Sequence, residues 1–268
     1  MFKGIDISKH NGDIDFCKIK SEIDFIIIRC AYRGIKNRKI FTDEKFKNNI
    51  IKANKYNIPV GVYIYSTAIN EKEAIEEANY CVELVKSYNI EYPIIIDVED
   101  SKNQGSLDKK SLSNIISSFC QEVEKNGYYP MYYCSEYWLN NKIDYQKINK
   151  YDLWIAKWSD ISPKIKHEIW QYTDCGIIEG IKGKVDLNYS QIDYSKKSKY
   201  DKNKVMIFNE FEIGDYVMFE ECYISSDSID PLIPLIKRGT ITRIIKEAKN
   251  PYLIDEGLCW IRKGHIIQ

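Results

Sequence analysis

The chain has 268 residues, and its 39 Lys+Arg are balanced by 39 Asp+Glu. That length accommodates one large domain with an ample core plus a small one, and the balanced charge gives no sign of a nucleic-acid binder. The opening Met1-Phe2-Lys3-Gly4-Ile5-Asp6 lacks the apolar stretch of a signal peptide, and no window reaches the ~18 apolar residues of a membrane-spanning helix. The expectation is therefore synthesis in the cytoplasm, no membrane insertion, and a separate route out for any action outside the cell. Eight scattered cysteines without a C-x-x-C pair argue against a zinc site or a compact disulfide framework, and Cys30 and Cys81 read as buried thiols.

Strand-like and helix-like segments alternate over the first three quarters. The first strand candidate, 3–7, carries Asp6; the second, 24–31, carries Arg29. A helix over 43–56 leads to a strand over 60–65, on which Tyr63 and Tyr65 share one face. Ala74, Ala78, Cys81, Val82 and Val85 form one helical face over 71–88, with Asn70 and Glu73 placed as a capping box. A strand over 93–97 runs into Asp97-Val98-Glu99. The third helix, 111–126, ends at Gly127, and a strand over 130–134 puts Met131 and Tyr133 on one face. The strands 153–157, 168–172 and 185–188 follow too closely for full crossover helices. Eight strands with helices mainly between the early ones predict an α/β fold, a barrel departing from the regular eightfold β/α pattern.

Residues 195–204, Ser-Lys-Lys-Ser-Lys-Tyr-Asp-Lys-Asn-Lys, form a basic polar run with no apolar face and read as a linker. Short β-rich runs follow at 216–219, 240–245, 252–254 and 259–262, punctuated by Gly214, Gly239 and Gly257, which predicts a small all-β barrel. The organisation expected is a barrel over 1–194, a linker over 195–204 and a β-module over 205–268. Met206 stands just after the linker, where an internal translation start would release a free C-terminal module able to associate with the full chain.

Asp97 and Glu99 carry the chemistry. Residues i and i+2 of a strand point the same way, so both carboxylates face one side at the C-terminal end of a buried parallel strand, where such folds keep their active sites. Each raises the other's proton affinity, and a proton donor beside an anion is what glycosidic cleavage needs. A helix-capping acidic cluster or a cation site is the plainer alternative. Asp6 on the first strand and Asp186 on the last become neighbours on closure, so four carboxylates converge on one mouth. A metal site would rival this reading, although no dedicated loop ligands can be identified.

Taken in order, Gly4-Ile5-Asp6-Ile7-Ser8 with Asn11-Gly12, Phe25-Ile26-Ile27-Ile28-Arg29, Ile58-Pro59-Val60-Gly61-Val62-Tyr63, Pro93 to Glu99, Trp154-Ile155-Ala156, Ile169-Trp170-Gln171-Tyr172 and Val185-Asp186-Leu187-Asn188 resemble the family 25 glycoside hydrolases. These are the lysozymes, or N-acetylmuramidases, of phage endolysins and some bacterial autolysins. The resemblance spans about residues 3–190. It implies an irregular barrel of five β/α units plus three late strands. It also implies cleavage of the β-1,4 bond between N-acetylmuramic acid and N-acetylglucosamine in peptidoglycan, with no cofactor and no metal. By it, Glu99 is the general acid and Asp97 orients the 2-acetamido group or stabilises the oxocarbenium-like transition state. Asp6 and Asp186 hold the surrounding network.

Arg29, Tyr63, Tyr65, Tyr133 and Trp158 are candidate substrate contacts; Arg29 pairing with one of the four acids, and barrel filling by the tyrosines, are the alternatives. Gln171 reads as a structural barrel residue and His10 as a loop residue. Residues 211–268 resemble bacterial SH3-type cell-wall-binding domains through Ile213-Gly214-Asp215-Tyr216-Val217, Gly239-Thr240-Ile241, Asn250 to Ile254 and Gly257 to Ile261. Tyr223, Tyr252 and Trp260 are then candidate wall contacts. The combined expectation is a modular phage endolysin of a Gram-positive host, acting on the wall after release. A bacterial autolysin, a catalytically silent wall-binding protein and a hydrolase of chitin-like polymers are the alternatives.

Overall fold

The computed structural model describes residues 1–196, 211, 213–219, 221–262 and 266–267. Met206 and residues 197–204 of the expected linker lie outside the described residues. Internal contacts divide the chain into two compact units, Met1–Asp201 and Lys202–Gln268.

The first unit is a closed barrel. Its strands are β1 (Phe2–Ile7), β2 (Phe25–Arg33), β4 (Val60–Ser66), β5 (Ile94–Val98), β6 (Pro130–Ser135), β7 (Asp152–Ala156), β8 (Ile169–Gly176) and β9 (Val185–Ser190). β1 pairs parallel with β2 and antiparallel with β9, and this closes the ring. β9 also runs antiparallel to β8, so seven strands are parallel and one is reversed. A short β3 (Ile40–Thr42) adds antiparallel to the far end of β2. The helices α1 (Phe16–Ile19), α2 (Phe46–Lys55), α3 (Glu71–Val85), α4 (Lys109–Lys125), α5 (Glu136–Lys142) and α6 (Tyr145–Ile148) fill the crossovers before β7. Five β/α steps precede three late strands, as expected; β3 was not foreseen.

Strands buried on both faces explain the unbroken apolar runs. Ile26, Ile28 and Cys30 of β2 pack outward against the helices, while Phe25 and Ile27 point inward with Ile95, Met131, Trp154 and Ile169. Gly4 makes this interior possible, because a Cβ there would stand 2.3 Å from the Phe25 ring. Local signals set the helix ends. Asn70 accepts from the Glu73 amide at 3.0 Å, but Glu73 reaches Ile69 N instead of returning to its cap, so the capping box is half built. Asp108 caps α4 through Ser111 N at 2.8 Å, and Gly127 closes it with φ of 82°. The Cys30 and Cys81 thiols are fully buried, 3.5 Å apart.

The second unit is a curled antiparallel sheet ordered β13-β12-β11-β10-β14, with β10 (Tyr216–Phe219), β11 (Arg238–Ile244), β12 (Tyr252–Ile254), β13 (Cys259–Ile261) and β14 (Ile266–Ile267). Its core holds Val217, Phe219, Cys222, Ile241, Tyr252, Ile254, Cys259 and Ile261. Two of the expected wall contacts need correction. Tyr223 and Tyr252 are only 1% and 4% exposed, because the small sheet uses its large rings to build a core. Tyr223 lies under the Arg262 guanidinium, 4.7 Å from the ring centre. Trp260 keeps a partly open face.

Candidate active site

Three isoleucines, Ile94 to Ile96, bury β5 on both faces and deliver Asp97 and Glu99 to the C-terminal mouth of the barrel. Asp97 is 4% exposed, and its Oδ1 is buried with no hydrogen-bond partner. Such an atom is costly while ionised. Burial first, then the charges of Glu99 and Asp6, hold its pKa well above the ordinary range; Arg29 opposes this. Glu99 stands just beyond the strand at the solvent-open rim, and its pKa is also raised, by desolvation first and then by Asp186 and Asp100.

Asp6 and Asp186 face one another directly in the β1–β9 register. The reversed β9 brings its beginning to the mouth where β1 ends, so both acids share that face. Asp6 is 5% exposed; burial raises its pKa against hydrogen bonds from Asn188, Gln171 and Asp186. Asp186 is pushed up to about 8, by burial first and then by the Asp6 charge and hydrogen bond. The four acids line one cleft of about 190 Å³ with Tyr63, Tyr133, Trp154, Trp158 and Gln171. Among the described residues, no group of His, Cys, Asp and Glu is arranged to hold a metal ion.

The other expected contacts divide between two places. Tyr63 and Tyr133 enter this cleft and pack on Trp154, with ring centres 6.0 and 4.5 Å away. Trp158 forms an open wall, 60% exposed, its indole N–H donating to Gln171. Arg29 and Tyr65 instead line a larger neighbouring cavity of about 460 Å³ with His10, Tyr32, Lys36 and Phe41. Arg29 pairs with none of the four acids: its Nε and Nη2 lie 2.8 and 2.7 Å from Asp43 Oδ2, a fifth acid that was not singled out. Tyr65 gives its hydroxyl to Asp100. Asn188 was also overlooked as a member of the site, although it shares a strand face with Asp186 two residues away and the period-2 rule could have found it.

A family model, Glycosyl hydrolases family 25, matches residues 5–181 and so contains Asp6, Asp97 and Glu99. The chain belongs to this family. Similar proteins of known structure share the barrel. The pneumococcal autolysin LytC, solved in complex with a synthetic peptidoglycan ligand, is 32% identical with a TM-score of 0.61, covering 70% of this chain and 46% of LytC. The spore cortex lytic enzyme SleM of Clostridium perfringens is 20% identical, with a TM-score of 0.65 over 99% of this chain and 85% of SleM. In sequence, the autolytic lysozyme of Clostridium acetobutylicum is 26% identical over 69% of this chain and 55% of its own length. The D-alanyl-L-alanine endopeptidase of Streptococcus phage B30 is 25% identical over 78% of this chain and 53% of its length. The chain thus spans about half the length of several relatives it matches.

Proposed function

We propose that this family 25 chain is a peptidoglycan hydrolase of the lysozyme type, cutting the β-1,4 bond between N-acetylmuramic acid and N-acetylglucosamine. The observation that carries the reading is the pairing of Glu99, at the open rim with its pKa raised, with the buried Asp97 two residues before it. A carboxyl whose proton affinity is raised by burial and by neighbouring acids is suited to protonate the departing glycosidic oxygen. Asp97 then polarises the substrate's acetamido group or stabilises the positive charge that develops on the sugar ring. Tyr63, Tyr133 and Trp158 supply the walls of the scissile site. The adjacent cavity, with Tyr32 and Phe41 stacked at 5.5 Å, offers room for further sugar units.

The setting we infer is a phage endolysin released onto a Gram-positive wall. Phage relatives support this, whereas LytC and the clostridial lysozyme favour an autolysin with the same chemistry. The small sheet is read as an SH3-type wall-binding module, with Trp260 as the remaining aromatic contact. An internal start at Met206 stays part of the proposal. The structure of the CTP1L endolysin, 24% identical, is described as revealing regulation of that protein by a secondary translation product.

The test is turbidity loss of purified Gram-positive walls with wild type and Glu99→Gln, followed by end-group analysis. Wild type is expected to release reducing ends on muramic acid, and Glu99→Gln to be slower by about 10²–10⁴-fold. Retained lysis by Glu99→Gln would remove the assignment of the acid. Binding without lysis by either protein would favour a silent wall-binding role.

A further inference from the structure

Asp6 is flanked by two carboxamides whose orientation is not free. Trp154 Nε1 donates to Asn188 Oδ1 at 2.8 Å. On the other side, Trp158 Nε1 donates to Gln171 Oε1 at 3.2 Å, and the Tyr133 hydroxyl donates to the same oxygen at 3.1 Å. An indole N–H can only donate. Each indole must therefore meet the amide oxygen, which turns the amide nitrogen the opposite way. Both nitrogens then donate to a single atom: Asn188 Nδ2 lies 2.8 Å and Gln171 Nε2 3.0 Å from Asp6 Oδ2. An oxygen that accepts two N–H groups has little capacity left for a proton of its own. Asp6 and Asp186 are hydrogen-bonded carboxyls, so one of them must donate.

We propose that Gln171 and Asn188 are positioning residues which, oriented by the two indoles, keep the negative charge of the Asp6–Asp186 pair on Asp6 and its proton on Asp186. Two N–H donors on Oδ2 favour the charged form of Asp6, and the Asp6–Asp186 hydrogen bond then leaves the proton on Asp186; the consequence for catalysis rests on the lysozyme reading above. The surrounding groups agree with this split. Asp174 on β8 adds negative charge near Asp186, disfavouring a second anion beside Asp6, and Glu99 and Asp97 on the β5 side do the same only when they ionise. Arg29 on β2, whose charge acts on Asp97 and Tyr63, is engaged by Asp43. Tyr63 on β4 and Tyr133 on β6 hold their protons, both pKa values raised by burial and then by neighbouring carboxylates. Asp186 thereby becomes a neutral donor at the cleft wall, and the buried anion is kept at Asp6.

The decisive measurement is a 13C carboxyl NMR titration of the full chain, with the Asp6 and Asp186 resonances assigned. Asp186 is expected to titrate near 8 while Asp6 remains ionised across neutrality. In Gln171→Leu, loss of one donor to Asp6 should raise the Asp6 midpoint by about one unit and leave that of Asp186 nearly in place. Trp158→Phe alters an exposed side chain, so it is expected to fold, and should raise the Asp6 midpoint by less. Protonation of Asp6 in place of Asp186, or an Asp6 midpoint unmoved by either substitution, would overturn the proposal. A second readout is lysis against pH for Gln171→Glu, where the new carboxyl, while protonated, replaces the lost donor. Its activity should return on the acid side, with the alkaline limb moved down by about a unit or more, while a purely structural Gln171 would leave the profile's shape unchanged. Failure of wild type to lyse walls would count against the lysozyme reading and leave the NMR result standing.

Discussion

Each of the four acids at the barrel mouth has a pKa raised above its ordinary value, and burial is the largest cause in every case. This has a cost in stability whose sign follows from proton counting. Between the ordinary carboxylate range and about 8, the folded chain holds more protons than the unfolded one, so unfolding releases protons and stability falls as pH rises. Replacing Asp186 by Asn removes one such group. The variant's barrel is expected to melt above wild type by about 2–4 °C at pH values above 8, and the gap should close as pH falls toward 3.8. Calorimetry at several pH values checks both parts. A variant that melts below wild type throughout would mean that the Asp186 hydrogen bonds contribute more than its desolvation costs. Of the residues named from sequence, the four acids were legible because period-2 spacing and strand ends fix where a carboxylate points. Gln171 was read as a structural barrel residue, and the partners of its amide could not be foreseen, because Trp158, Tyr133 and Asp6 meet it from three other segments.

The connection after β2 is held to α3 by a small charged network. Arg33 is 4% exposed; its Nε lies 2.6 Å from Glu77 Oε1, and its Nη atoms donate to Arg38 O and Glu73 O at 2.7 and 2.8 Å. Arg38, in the left-handed region at φ 59°, donates in turn to Glu73 and to both Thr67 oxygens. These bonds fix the turn that walls the larger cavity, which contains Arg33 and Asn37. Burial pushes Glu77 up to about 7 despite its arginine partner. Arg33→Met should strand this carboxylate in the core and destabilise the barrel by about 3–5 kcal/mol. Denaturant unfolding measures the loss, and a change under about 1 kcal/mol would mean that Glu77 simply takes up a proton. Sequence periodicity found α3 and its apolar face, yet it gave no sign of this network, since Arg33 and Glu77 are 44 residues apart.

At the scale of the whole molecule, two compact units follow one another along the chain, with the family match confined to the first. If the second unit is a wall anchor, its contribution is local concentration and not chemistry. A 1–201 fragment is then expected to cleave short soluble glycans within about twofold of the full chain and to lyse intact walls at least about 10-fold more slowly. Equal rates on walls would assign the small sheet another role. Its wall contacts were the least legible residues. An aromatic in a short β-run can face outward or build the core, and only the packing of β10 to β13 placed Tyr223 and Tyr252 inside.

By itself the sequence determined the eight barrel strands, the helices between the early ones, the D-x-E strand end and the change of composition beyond residue 195. All of these rest on local periodicity, capping and turn chemistry, which act over a few residues. Tertiary structure alone decided that β9 runs backward to set Asp186 opposite Asp6, that Arg29 belongs to Asp43, and that two tryptophans orient the amides around Asp6. Such contacts join segments up to 182 residues apart, and a hydrogen bond's direction exists only once both partners are held in place.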